Sequence, residues 1–196
     1  LFEEQVTKTP EQQALVYNNT HLTYQTLNQR ANQLAHYLIE LGVTDNILVG
    51  IGMERSIEMI VSILAVLKAG GAYLPLDAKY PAERLQFMLD DGDVKVLLSD
   101  ADSWSGFSLG DGAKCLNLST PACAELLSAY PQTNPIRKGP ISLDNQVYTI
   151  YTSGSTGQPK GVMTSQRNLL NYVDHAIKHS TDTVVGAVVS SSLAFD

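Results

Sequence analysis

The chain is 196 residues long, 44% hydrophobic and only 17% charged, with a formal net charge of -7 and a sequence pI near 5.0. That length supports one sizeable core, while an acidic balance without a basic cluster argues against nucleic acid or an anionic membrane surface as the main partner. The longest apolar run, over 59–67 and broken by Ser62, falls far short of the ~20 residues a bilayer span needs, so no membrane segment is expected. In chain order, Thr23 suits an N-cap, and Leu27, Ala31, Leu34, Ala35, Leu38 and Leu41 recur at helical spacing up to Gly42, which predicts a helix over about 24–41. A short apolar strand over 47–52 follows, then a helix over about 56–69 ending at Gly70 and Gly71, whose nearly continuous apolar face implies burial on more than one side. Residues 72–76 read as a strand. Pro81 at a first helical position opens a helix to about Leu89, which the Asp90, Asp91, Gly92, Asp93 run ends. Another strand is expected over 94–99, then a Gly/Ser/Asp-rich surface excursion over 101–112 and a Pro/Gly-rich loop over 130–140. Residues 146–151 read as a buried strand, 162–163 as a brief continuation, and Ser165 as the cap of a helix with Leu169, Leu170, Val173, Ala176 and Ile177 on one face. A strand over 183–190 is the last expected element. Alternating strands and helices predict an α/β fold: a mostly parallel sheet with helices on both faces.

The stretch YTSGSTGQPKG over 151–161 is the most informative. Thr152, Ser153, Ser155 and Thr156 supply hydroxyls, Gly154, Gly157 and Gly161 let backbone approach a ligand closely, and Lys160 adds a point charge. Backbone N–H groups in a tight glycine turn form an anion-binding concavity, hydroxyls donate to phosphate oxygens, and an ammonium neutralises part of the charge, so the stretch is equipped for a polyphosphate. It is not a Walker loop, because Pro159 and Gly161 flank the lysine where glycine and Ser/Thr would be required. The dinucleotide fingerprint and the nucleophile elbow are absent as well.

Other polar groups read as structural. His175 and His179 share a helix face without a nearby acidic third ligand, Asp90, Asp91 and Asp93 fail the EF-hand spacing, and Asp77 sits among apolar neighbours. Cys115 and Cys123, the two cysteines present, lack metal-ligand spacing and read as reduced thiols, though sequence alone does not exclude a disulfide. The N-terminal residues show neither a basic region nor an apolar signal core, which points to a cytoplasmic protein.

Taken together, the segments resemble the amino-acid adenylation domain of nonribosomal peptide synthetases, within the adenylate-forming superfamily that includes acyl-CoA synthetases and luciferase. The resemblance rests on LTY over 22–24 with RANQLA over 30–35, LKAGGAYLPLD over 67–77, Tyr80 and Pro81 with Arg84, the hydroxyl-and-glycine stretch, and Phe195 with Asp196. It runs through essentially the whole chain in order. Two departures stand out: Thr26 where the family usually has an acidic residue, and Gln166 in place of a histidine, which puts that side chain's contact near the site in doubt.

The resemblance implies the N-terminal part of the large lobe of an adenylate-forming enzyme, with residues 1–196 one segment of a longer domain that is interrupted at Asp196 and inactive alone. It implies activation of an amino acid by ATP, with Mg2+, to aminoacyl-AMP and pyrophosphate, followed by loading onto the phosphopantetheine of a peptidyl carrier domain. Thr152, Ser153, Gly154, Ser155, Thr156, Gly157 and Lys160 would hold the ATP phosphates, and Asp196 would pair with the α-ammonium of the amino acid. Neighbouring synthetase domains and a small MbtH-like protein are the partners it admits. Two alternatives stay open: an acyl- or aryl-acid-activating ligase of the same superfamily, and a non-catalytic fragment. Asp196 and the 67–77 stretch favour the amino-acid branch.

Overall fold

In the computed structural model, residues 1–136, 139, 142–153, 158–179 and 193–194 are described. The chain begins with α1 (Phe2–Lys8) and a small antiparallel hairpin of β1 (Gln13–Tyr17) and β2 (Thr20–Thr23). Asn18 and Asn19 make its turn with φ of 45° and 63°, the left-handed pair that a two-residue hairpin connection demands. The main layer is a six-stranded sheet in the order β6-β5-β3-β4-β7-β8. It contains β3 (Leu48–Gly52), β4 (Ala72–Pro75), β5 (Val96–Ser99), β6 (Lys114–Asn117), β7 (Gln146–Thr152) and β8 (Lys160–Ser165). All neighbours run parallel except β7 and β8.

The helices that join these strands cover both faces. On one face α2 (Tyr24–Glu40) and α3 (Ile57–Ala69) bury Leu34, Leu38, Val61 and Val66 against Val49, Val96 and Leu98. On the other, α4 (Ala82–Asp91) buries Leu85, Met88 and Leu89 against Leu74 and Leu97. Successive residues of β5 thus serve opposite cores, as a pleated strand requires. Each fully buried leucine contributes about 1.5–3 kcal/mol by leaving water.

Local signals explain the helix limits. Thr23 and Ser56 cap α2 and α3, accepting from the amides of Thr26 and Met59 at 3.1 Å each, and Gly70 ends α3 with φ of 95°. Thr26 occupies the third helical position, where a capping box would place an acid, and its hydroxyl instead meets that of Thr23 at 3.1 Å.

Several expectations are corrected. Pro81 is the N-cap of α4, extended at ψ of 142°, not its first helical residue. The excursion over 101–112 is not wholly superficial: a 3₁₀ turn, Asp102–Gly106, carries Trp104 into the α4-side core at 3% exposure. Residues 162–163 belong to a full strand, β8. The connection after α5 (Pro121–Ser128) is fixed to α2, whose Asn32 and His36 donate to the carbonyls of Gln132 and Thr133 at 2.7 and 2.9 Å. Ser165 caps α6 (Gln166–His179) as predicted, receiving the Asn168 amide at 3.3 Å, yet Leu170 and Tyr172 remain exposed on that helix. The strand expected over 183–190 lies outside the described residues. Among the described residues, no helix is long and apolar enough to cross a membrane.

Candidate functional site

The hydroxyl-and-glycine stretch is the connection of a β-hairpin. Along β7 the burial alternates, Val147, Thr149 and Tyr151 facing inward, and Tyr151 is the last inward side chain before the loop. Thr152 is half-buried, Ser153 is exposed, and Lys160, at the start of β8, is exposed and stands opposite Thr152 in the antiparallel register. Gly154, Ser155, Thr156 and Gly157 lie outside the described residues. The stretch is followed by strand β8, which begins at Lys160, rather than by a helix.

Three anchors from α4 converge on Tyr151. Its hydroxyl donates to Asp91 Oδ2 at 2.5 Å, its ring meets Phe87 edge-on at 6.3 Å and 82°, and its carbonyl accepts from Arg84 Nη2 at 3.5 Å. The Arg84 guanidinium is itself stacked on the Tyr80 ring at 4.2 Å. Burial, reinforced by the bond to Asp91 and that carboxylate's charge, pushes the Tyr151 phenol far above its ordinary range, so it remains a donor at neutral pH.

Gly161 has a packing reason as well as the ligand-approach reason expected of it. A Cβ there would lie 2.9 Å from Thr149 Cγ2 and 3.2 Å from Tyr151 Cζ. Thr149 is buried and branched and cannot swing away. Gly161→Ala is therefore expected to destabilise the fold by about 1–3 kcal/mol, as overpacking does. Urea unfolding checks this, and a midpoint equal to the parent's would show that the hairpin tolerates a methyl group.

A cleft of about 660 Å³ opens at the carboxyl ends of β3, β4 and β5, where parallel sheets place ligands. Gly52, Glu54, Asp77, Lys79, Asp100 and Trp104 are among its walls. The Asp100 carboxylate accepts from the Glu54 amide at 3.1 Å, and Asp77 accepts from the Lys79 amide at 2.9 Å, a local side-chain-to-backbone bond in keeping with the structural role expected of it. Composition and periodicity did not indicate this cleft, because three strand ends distant in sequence build it. Strand β7 runs parallel to β4, with Tyr148 opposite Tyr73, so the loop rises from the same sheet edge as the cleft. Leu193 and Ala194 also line the cleft; Asp196 lies outside the described residues.

The remaining sequence candidates do not assemble into a centre. The His175 and His179 rings are 4.3 Å apart, and among the described residues no group of three or more His, Cys, Asp or Glu is placed to hold a metal. Cys115 and Cys123 are free thiols, and burial pushes the Cys123 thiol above its ordinary range.

Comparison with known proteins agrees with the fold. The family described as AMP-binding enzyme matches residues 2–195. The chain is 44% identical over 197 residues to bacitracin synthase 3 of Bacillus licheniformis, with 100% of this chain and 3% of that protein covered. It is also 44% identical over 171 residues to a dimodular nonribosomal peptide synthase of Bacillus subtilis, over 86% of this chain and 7% of the relative. The chain thus spans a small fraction of the length of these relatives. The fold matches a crystal structure of the nonribosomal peptide synthetase FmoA3 with a TM-score of 0.85 at 29% identity, covering 99% of this chain and 20% of that one. An AMPPNP-bound form of FmoA3 gives 0.82 at 29% identity, with the same coverage. The form bound to α-methyl-L-serine-AMP gives 0.79 at 28%, over 92% and 19%.

Proposed function

The chain belongs to the AMP-binding enzyme family, and from that premise we propose that it forms the phosphate-gripping part of an amino-acid-activating domain of a nonribosomal peptide synthetase. One carboxylate oxygen of the amino acid bonds to the α-phosphorus of ATP, the bond to the bridging oxygen breaks, and pyrophosphate leaves with that electron pair. The aminoacyl group then passes from AMP to the phosphopantetheine thiol of a carrier domain. Such a displacement asks the protein chiefly for positioning and charge stabilisation.

The observation that supports this reading is the hairpin closed by Thr152 and Lys160, which sets a hydroxyl and an ammonium at the two feet of one loop on the same sheet edge as the cleft. Thr152, Ser153, Gly154, Ser155, Thr156, Gly157 and Lys160 hold the β and γ phosphates. Magnesium would enter with the nucleotide, keeping several waters and taking one or two carboxylates plus phosphates. When bound it neutralises charge on the departing pyrophosphate.

Asp196 pairs with the α-ammonium of the amino acid. A carboxylate facing an ammonium away from water is favourable only when both charges are present, so plain carboxylic acids are rejected. Ala194, two residues earlier, is buried in the cleft wall, which supports a role for the following residues there. The peptide-synthetase names of the relatives support the amino-acid branch over an acyl- or aryl-acid ligase.

The test is ATP–pyrophosphate exchange by the longer polypeptide that contains this segment, run against a panel of amino acids and their deamino analogues. Amino-acid-dependent exchange is expected, and Asp196→Ala should raise KM for the amino acid while leaving KM for ATP near the parent value. Exchange driven equally well by the deamino acids would reverse the assignment to the amino-acid branch.

A further inference from the structure

We propose that Tyr151 is a positioning residue for the phosphate-gripping loop: held by Asp91, Phe87 and Arg84 of α4, it fixes the strand end from which Thr152 and Ser153 project, and thereby governs affinity for the triphosphate of ATP. The inference rests on the role proposed above for the loop.

Tyr151 is held to α4 from three directions at once, through its hydroxyl, its ring and its backbone carbonyl. A core tyrosine needs only packing and one partner for its hydroxyl. The bond from Arg84 restrains the carbonyl itself, one peptide unit from Thr152, so it acts on the path of the main chain into the loop. Stacking on Tyr80 removes the freedom of the guanidinium that makes this bond. Across the hairpin, Gly161 leaves the space that the phenol ring occupies, so β8 also accommodates this one rotamer. Loop amides and hydroxyls aimed at an anion bind well only when their directions are set beforehand, which a braced strand end favours. The proposed arrangement assigns the amino acid to Asp196, and none of Tyr80, Arg84, Phe87, Asp91 and Tyr151 is among the residues that line the cleft beside Leu193 and Ala194. The consequence is selective: ATP affinity depends on Tyr151 and amino-acid affinity does not.

The experiment uses the longer polypeptide and measures KM for ATP and for the amino acid separately, with the thermal midpoint of each variant. Tyr151→Phe keeps the ring and removes the bond to Asp91. It should raise KM for ATP about tenfold, within the range by which residues that act on a site without touching its ligand shift binding, with KM for the amino acid unchanged. Asp91 is exposed, so Asp91→Ala tests the same bond without disturbing the core and should reproduce the effect. Asp91→Asn, whose amide oxygen still accepts the phenolic proton, should restore ATP affinity. Equal rises in both KM values, or an unchanged KM for ATP in Tyr151→Phe and Asp91→Ala, would overturn the inference. If Lys160→Ala raises KM for ATP while those two variants do not, the phosphate-loop reading survives and the positioning role alone falls. If Lys160→Ala leaves both KM for ATP and the exchange rate at the parent values, both fall.

Discussion

Trp104→Ala is expected to cost about 3–5 kcal/mol of folding stability, the range found when a large buried aromatic is truncated. The indole is 3% exposed and lies within the cluster built from Leu74, Leu76, Leu85 and Leu97, with the Phe107 ring 5.3 Å away. The sheet is shaped to receive it: at Gly52, a Cβ would stand 2.5 Å from the indole, so β3 presents bare backbone where the ring rests. A five-residue 3₁₀ turn has little stability of its own, so without this anchor the segment after β5 loses its attachment to the sheet. Trp104 also walls the cleft, and the truncation should open that side to water. Urea unfolding followed by far-UV circular dichroism measures the loss. A change below about 0.5 kcal/mol, the level of a surface substitution, would show that the ring carries no such packing.

Lys160→Ala in the longer polypeptide is expected to lower ATP–pyrophosphate exchange by about 10²–10³-fold, the size of effect seen when one charge-stabilising donor is removed from a preorganised site. The side chain is exposed and its strand is held by backbone pairing to Thr152, so truncation removes the ammonium and leaves the hairpin intact. Stability should therefore stay within about 0.5 kcal/mol of the parent. Lys160→Arg keeps the charge but spreads it over a planar fork, and should recover part of the activity. Exchange at the parent rate in Lys160→Ala would remove Lys160 from the site.

Much of the architecture was legible because periodicity survives in single segments. The helical spacing of Leu27, Leu34 and Leu38, the caps at Thr23 and Ser56, and the glycine after α3 each act within a turn or two of chain, and α2 and α3 form where they were expected. The β1–β2 hairpin was missed, although Asn18 and Asn19 carry a turn signal, because its strands are half polar and mostly exposed. Edge strand β6 was missed for the same reason: Lys114 and Cys115 are exposed and Leu116 is half-buried, so no clean apolar run marks it.

The candidate site divides along a similar line. Thr152, Ser153 and Lys160 could be proposed as phosphate ligands from sequence because glycines, hydroxyls and a lysine crowd into one short stretch whose chemistry does not depend on distant partners. What sequence could not indicate was that this stretch joins antiparallel strands, that Gly161 accommodates the Tyr151 ring, and that α4 grips Tyr151 from some 60 residues away in the chain, as the Tyr151–Asp91 bond shows. By itself the order of residues determined which segments could be helix or strand and where an anion could be met, since those are properties of neighbouring groups. Only tertiary structure decided which strand ends lie side by side to form the cleft and which side chains brace the loop, because such contacts join residues whose separation along the chain leaves no periodic trace.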